Sequence, residues 1–293
     1  MRISLVLLLS SLILFQSASN PVEFHETFRE DFSERTLEFF LYGSTGRKAE
    51  FKWKSGKKSA ETEDSKILSF KIHPKEEAGA GKGPEIISRK FTHFGTYSTR
   101  LKVPDPREVQ PNVGAVVGYF TYHNDPEFGL SEIDFEWLLA DPEVIYMGTW
   151  TGESGKLRRV GRTINLAKGI IYTTEEREDH LKKKANLSGE ENLPEKLEAI
   201  EGFDASAQFH TYGFDWYPDR IRWWMLHPTT ADTVVLWDYK GERGIPQHPS
   251  KYRMNFWHSD NWSVETNPES LEKPSKRFEL EVDWMGYKPL NKE

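Results

Sequence analysis

The chain has 293 residues, a formal net charge of −7 and no cysteine. An acidic chain offers no electrostatic case for nucleic acid as a partner. The lack of cysteine excludes disulfides, thiolate metal sites, a cysteine nucleophile and a lipidated cysteine behind a leader.

Residues 1–19 read as a secretory signal: Arg2 supplies the charge, Ile3 to Phe15 the apolar run, and Ser17-Ala18-Ser19 the small-residue cleavage site. The apolar run falls short of the ~20 residues that span a bilayer, so a secreted or periplasmic protein is expected, with no membrane span. Residues 20–293 then form one domain. The basic run Lys52 to Lys58 reads as solvated surface. Short β-type runs follow, separated by turn residues: Lys66 to Ile72, Glu85 to Phe91, Gly95 to Val103, Gly114 to Tyr122, Glu132 to Leu139 and Val144 to Trp150. Between Thr173 and Ala199 the pattern changes. Thr174 precedes Glu175, Glu176 and Glu178, and Lys182, Lys183 and Lys184 come later, an order that suits a capped helix and its dipole. One or two short surface helices are expected there, as an insertion. Strand-like runs resume at His210 to Trp216, Arg220 to Leu226, Thr233 to Trp237, Arg253 to Trp257 and Arg277 to Trp284, with a hairpin turn at Tyr217-Pro218-Asp219-Arg220. The sum is an all-β sandwich or barrel.

The most informative run is Ser131-Glu132-Ile133-Asp134-Phe135-Glu136-Trp137. Strict alternation puts Glu132, Asp134 and Glu136 on one strand face and Ile133, Phe135 and Trp137 on the other. Three like charges in a row repel, so such a row serves a cation, acid/base chemistry, or a solvated face. The 10 tryptophans of the chain favour chemistry on sugars, whose rings stack on flat aromatic faces.

The chain resembles glycoside hydrolase family 16, over roughly Pro84 to Lys288. The resemblance centres on the E-x-D-x-E of Glu132, Asp134 and Glu136. It is carried as an ordered series by Phe94 to Lys102, Gly118 to Tyr122, Gly202 to Ser206, Phe209 to Trp216, Arg222-Trp223-Trp224, Asn255-Phe256-Trp257 and Val282-Asp283-Trp284. It implies a curved two-sheet jelly roll with a cleft on the concave face. It implies Glu132 as nucleophile, Glu136 as acid/base and Asp134 as the helper between them. Arg100, Phe120, Tyr122, Trp150, Asn255, Trp257 and Trp262 become the candidate sugar contacts, and Trp137, Trp216 and Trp284 the core tryptophans. Asp283 stands where lichenases place a residue near a structural calcium, which makes it the candidate metal ligand; no other cofactor is called for.

The chemistry needs two carboxyls roughly 5–5.5 Å apart for retention of configuration. Glu132 and Glu136 have Cα atoms about 13 Å apart at ~3.3 Å per residue, so their long side chains must lean inward over the shorter Asp134. Repulsion within the row makes it titrate as a unit. The chain departs from the lichenase pattern at Ser98, Leu130, Gly148 and Thr149, where sugar contacts are lost. The expectation is a secreted, monomeric, retaining endo-β-glycanase acting on a polysaccharide. A transglycosylase with the same intermediate is one alternative, and a non-catalytic glycan-binding module on the same sandwich is another.

Overall fold

The computed structural model describes residues 21–44, 50–54, 66–74, 77–79, 82–108 and 113–290; the leader read at residues 1–19 lies outside them. The strands in chain order are β1 (Phe28–Glu30), β2 (Phe40–Ser44), β3 (Glu50–Lys54), β4 (Ile67–Ile72), β5 (Pro84–Ser88), β6 (Gly95–Lys102), β7 (Ala115–Asp125), β8 (Gly129–Leu138) and β9 (Val144–Gly152). They continue with β10 (Arg158–Asn165), β11 (Ile170–Glu178), β12 (Lys183–Asn186), β13 (Asn192–Leu193), β14 (His210–Trp216), β15 (Ile221–Leu226), β16 (Thr233–Tyr239), β17 (Lys251–His258) and β18 (Phe278–Pro289). Two antiparallel sheets result. The first runs β12-β11-β10-β9-β8-β7-β17-β5-β2. The second runs β13-β16-β15-β14-β6-β18-β4-β3, with β1 added to β18.

Period-two alternation explains how the sheets pack. Tyr97, Thr99 and Leu101 of β6 are fully buried, as are Ile133, Phe135 and Trp137 of β8 and Phe214 and Trp216 of β14. These residues meet between the sheets in one apolar core. Stacked and edge-on rings knit it together, for example Tyr97 on Phe214 at 4.6 Å and Phe135 on Trp137 at 4.8 Å between centroids. From the second sheet, Trp223 donates its indole N–H to the Asp134 carbonyl at 2.9 Å. The catalytic-looking strand β8 is thereby pinned from behind while its acidic face points away from the core. The hairpin turn expected at Tyr217 to Arg220 is present, closed by a bond from the Tyr217 amide to the Arg220 carbonyl at 2.9 Å.

The segment expected to be helical holds no α-helix and begins as a strand hairpin. Thr173 to Glu178 belong to β11, and Lys183 to Asn186 return beside them as β12. A single 3-10 turn, Asp179–Leu181, separates the two, and Leu181 is exposed. The charge order that suggested a helix dipole is a cross-strand pattern. Glu175 meets Lys184 of β12 at 2.6 Å, Glu178 meets Arg158 of β10 at 2.7 Å, and Thr174 accepts from Arg162 Nε of β10 at 2.9 Å, while Arg177 on the same strand as Glu175 adds a contact at 2.5 Å. Acid and base that sit a turn apart on a helix also face one another across a hairpin, and here the hairpin extends a sheet already formed. Trp284 also departs from expectation. It is nearly buried, but it lies outside the inter-sheet core and is covered by the Arg29 guanidinium 4.3 Å above its ring.

Candidate active site

Register converts the acidic row of β8 into the floor of a cavity. Glu132 pairs with Tyr122 on β7 and Trp150 on β9; Asp134 pairs with Phe120 and Gly148; Glu136 pairs with Gly118 and Tyr146. Directly opposite residues in a ladder share a face, so the rows continue across the sheet. The first row reaches Lys251 on one side and Arg159 and Arg177 on the other. The second runs from Arg253 through Phe120, Asp134, Gly148 and Gly161 to Glu175. The third runs from Asn255 through Gly118, Glu136, Tyr146 and Thr163 to Thr173. Over this face opens a cavity of about 880 Å³, lined by Glu132, Asp134, Glu136, Tyr146, Trp150 and Arg159, with the loop carrying Asn261, Trp262 and Glu265 as one wall.

Electrostatics in the cavity are set by burial. Asp134 is only 4% exposed, and Glu132 and Glu136 are half-buried, open on the cavity side. Loss of water pushes the proton affinity of Glu132 up to about 8, against the opposing pull of the Arg253 charge. Glu136 is pushed up to about 8 by the same loss of water and by the Glu132 charge, opposed by Arg159. Asp134 is raised by burial and then by its two acidic neighbours. The row therefore holds protons near neutrality and titrates as one group, which suits a site that needs one carboxylate and one carboxylic acid side by side.

Beyond the acids stands a basic flank. Glu175 is almost buried and accepts three cations, Arg177 at 2.5 Å, Lys184 at 2.6 Å and Arg159 at 3.4 Å. Burial alone would raise its proton affinity, yet the bonds from Lys184 and Arg177 outweigh that and lower it.

The candidate sugar contacts divide. Trp150 and Trp262 line the cavity, and Trp262 packs edge-on against Tyr146 at 5.3 Å. Phe120 and Tyr122 share the acidic face beside Asp134 and Glu132, and Tyr122 carries the Arg253 guanidinium 5.1 Å from its ring centre. Asn255 lies across Gly118 from Glu136, is nearly buried, and has an amide oxygen without a protein partner. Trp257 is not a sugar platform. It is buried in a small apolar cluster with Val116, Leu138, Val144 and Val264 at the end of the same face, where its partner across the ladder is Val116 and where Tyr172 and Trp262 also pack.

Arg100 and Asp283 lie on the opposite side of the molecule. Both belong to the second sheet, where the inward places on β6 are taken by Tyr97, Thr99 and Leu101. Arg100 instead donates to Asp283 at 2.6 Å and lies over the Phe209 ring at 5.1 Å. Arg100 is therefore no substrate contact. Asp283, the candidate calcium ligand, is almost fully buried and held in this ion pair. Of the departures from the lichenase pattern, Leu130 lines the cavity and Gly148 lies on its face. Thr149 is fully buried on the other face and donates to the Gly244 carbonyl, and Ser98 is on the second sheet.

Sequence reasoning overlooked Tyr146, Gly161, Arg159, Glu175 and Arg253. Tyr146 was within reach, since it alternates with Gly148 and Trp150 on one strand. The others sit on strands whose partners only the fold reveals.

Residues 174–286 match the family model described as "Glycosyl hydrolases family 16". A beta-glucanase of Paenibacillus macerans is 34% identical over 212 residues, covering 69% of this chain and 63% of that protein. A beta-glucanase of Acetivibrio thermocellus is 31% identical over 180 residues, covering 60% of this chain and 37% of that protein. The chain thus spans less than two thirds of the length of these relatives. Among solved structures, a prokaryotic beta-1,3-1,4-glucanase (lichenase) derived from a mouse hindgut metagenome superposes with a TM-score of 0.55 over 90% of this chain and 100% of that one, at 20% identity, a likeness of fold. An all-β sandwich, an E-x-D-x-E row on the cavity face of one sheet, and these matches agree on glycosyl hydrolases family 16, the family whose model residues 174–286 match.

Proposed function

We propose that the protein is an endo-acting β-glycanase that cleaves a β-linked polysaccharide with retention of configuration. The observation that carries this reading is the row of three carboxyls, with raised proton affinity, on the floor of an aromatic-walled cavity. Glu132, ionised, attacks the anomeric carbon and forms a glycosyl ester, while Glu136 gives its proton to the departing sugar oxygen. Glu136, now a carboxylate, takes a proton from water as that water attacks the anomeric carbon of the ester, and Glu132 leaves as a carboxylate. Asp134 sits between them and adjusts its proton as the charge on Glu132 is consumed and restored. Trp150 and Trp262 give the sugar rings flat apolar faces. The reaction asks for no cofactor. The leader at residues 1–19 supports export, where a polymer substrate would be met.

The test is substitution with rescue. Glu132→Ala and Glu136→Ala should each lose at least about 10³-fold in kcat/KM on polysaccharide without loss of fold, by the scale of general acid and nucleophile deletions. Azide should rescue Glu132→Ala and release a glycosyl azide of inverted configuration. Near-normal turnover in either variant, or inverted product from the parent enzyme by proton NMR, would refute the mechanism.

A further inference from the structure

Tyr146 carries on the cavity face a buried polar atom without a partner, within electrostatic reach of all three acids. It is 6% exposed, it lines the cavity, and its hydroxyl is buried with no hydrogen-bond partner. The phenol does not stand straight up from its own row. A Cβ at Gly148 or at Gly161 would overlap the Tyr146 hydroxyl. The ring therefore leans across the second row, into the gap that these two glycines leave between Asp134 and Glu175. Trp262 packs edge-on against the ring and holds it there.

An unpartnered buried hydroxyl is costly, by about 1–3 kcal/mol, and native proteins leave few of them without a reason. The apolar packing is not the reason, because phenylalanine would supply the same ring. Proton transfer is not the reason either. Burial, with the charges of Asp134, Glu136 and Glu132 against the opposing Arg159, holds the phenol far above its ordinary proton affinity, so it remains a neutral donor. Such a donor suits a neutral ligand group that enters the cavity and can both accept and donate.

We propose that the Tyr146 hydroxyl is a substrate-binding group that hydrogen-bonds a hydroxyl of the sugar seated over Asp134, and that Gly148 and Gly161 are glycine so that the phenol can reach it. The proposal rests on the reading that Glu132 and Glu136 act on a sugar chain in this cavity. It names the polar contact that fixes the orientation of one ring there. A site built around such a hydroxyl discriminates strongly against a sugar that lacks the matching group, since the phenol is then left unpaired again.

The experiment separates binding from turnover. In the Glu132→Ala background, calorimetric titration with an oligosaccharide of the best polysaccharide substrate should show binding about 5–30-fold weaker when Tyr146→Phe is added, the range of one lost hydrogen bond to a buried partner. In the otherwise unaltered enzyme, Tyr146→Phe should lower kcat/KM to a similar degree and leave the melting temperature unchanged or slightly higher. Gly148→Ala, which displaces the phenol, should mimic the loss, and adding it to Tyr146→Phe should cost less than it does alone. Mono-deoxy oligosaccharides provide the direct readout. One deoxy position should weaken binding to the Glu132→Ala protein but not to the Glu132→Ala/Tyr146→Phe protein. Equal binding with and without the hydroxyl, or a melting temperature several degrees lower in Tyr146→Phe, would overturn the proposal. Full activity in Glu132→Ala would instead overturn the reading of the site on which it rests.

Discussion

Glu136→Gln should make the protein more stable near neutrality while removing its activity, and the size of the gain should depend on pH. In the folded chain burial and the Glu132 charge raise the Glu136 carboxyl from its ordinary 4.5 to about 8. In the unfolded chain it returns to the ordinary value. Between these limits the folded state binds a proton that the unfolded state does not, so stability falls as pH rises. The stability is fully present below pH 4.5 and is lost as pH rises toward 8. At about 1.4 kcal/mol per pH unit, folding at pH 7 carries a penalty on the order of 3 kcal/mol for this carboxyl. Glu132 and Asp134 share the same protons, so a single substitution should recover only part of it, about 1–2 kcal/mol. For a chain of this size that is roughly 2–6 °C in melting temperature. The assay is thermal unfolding of the parent and Glu136→Gln proteins at several pH values from 4.5 to 8.5. The difference should be near zero at the acid end and grow steadily toward the alkaline end. A difference that is independent of pH, or a less stable Glu136→Gln protein at pH 8, would refute the reasoning.

Two further outcomes follow from the neighbours of the row. Arg253 holds the Glu132 proton affinity down while pairing with Glu85 at 3.1 Å. Arg253→Met should therefore move the rising limb of the kcat/KM profile, which tracks Glu132 ionisation, to higher pH by about 0.5–1; an unmoved or acid-shifted limb contradicts the assignment of Glu132. Trp257→Ala should cost ~3–5 kcal/mol of stability, as truncation of a buried tryptophan does. Trp262→Ala should instead weaken oligosaccharide binding with a small change in melting temperature, so a reversal of this pattern in paired unfolding and binding measurements would exchange their roles.

What the sequence determined about this protein is what depends on local alternation and on composition. Period two in Ser131 to Trp137 is enough to place Glu132, Asp134 and Glu136 together on one face and Ile133, Phe135 and Trp137 in the core, because a strand has no other way to present them. The same reasoning located the strand His210–Trp216, the run Val144 to Trp150 within β9, and the turn between β14 and β15, while the ordered motif series around Glu132, Asp134 and Glu136 carried the resemblance to the family. Tertiary structure decided everything that needs a partner strand or a covering loop. Arg100 and Trp150 look equally good as sugar contacts in sequence, but β6 and β9 belong to different sheets, so one pairs with Asp283 on the far side and the other borders Glu132. Trp257 and Trp262 are neighbours on the chain, yet an apolar cluster around its ladder partner Val116 buries the first and the loop presents the second. The charges from Glu175 to Lys184 satisfy a helix dipole and a hairpin equally well, and the free edge of β10 settled the choice by offering a ladder to join. The raised proton affinities of the three acids come from exclusion of water by the cavity walls, a property that no stretch of sequence carries by itself.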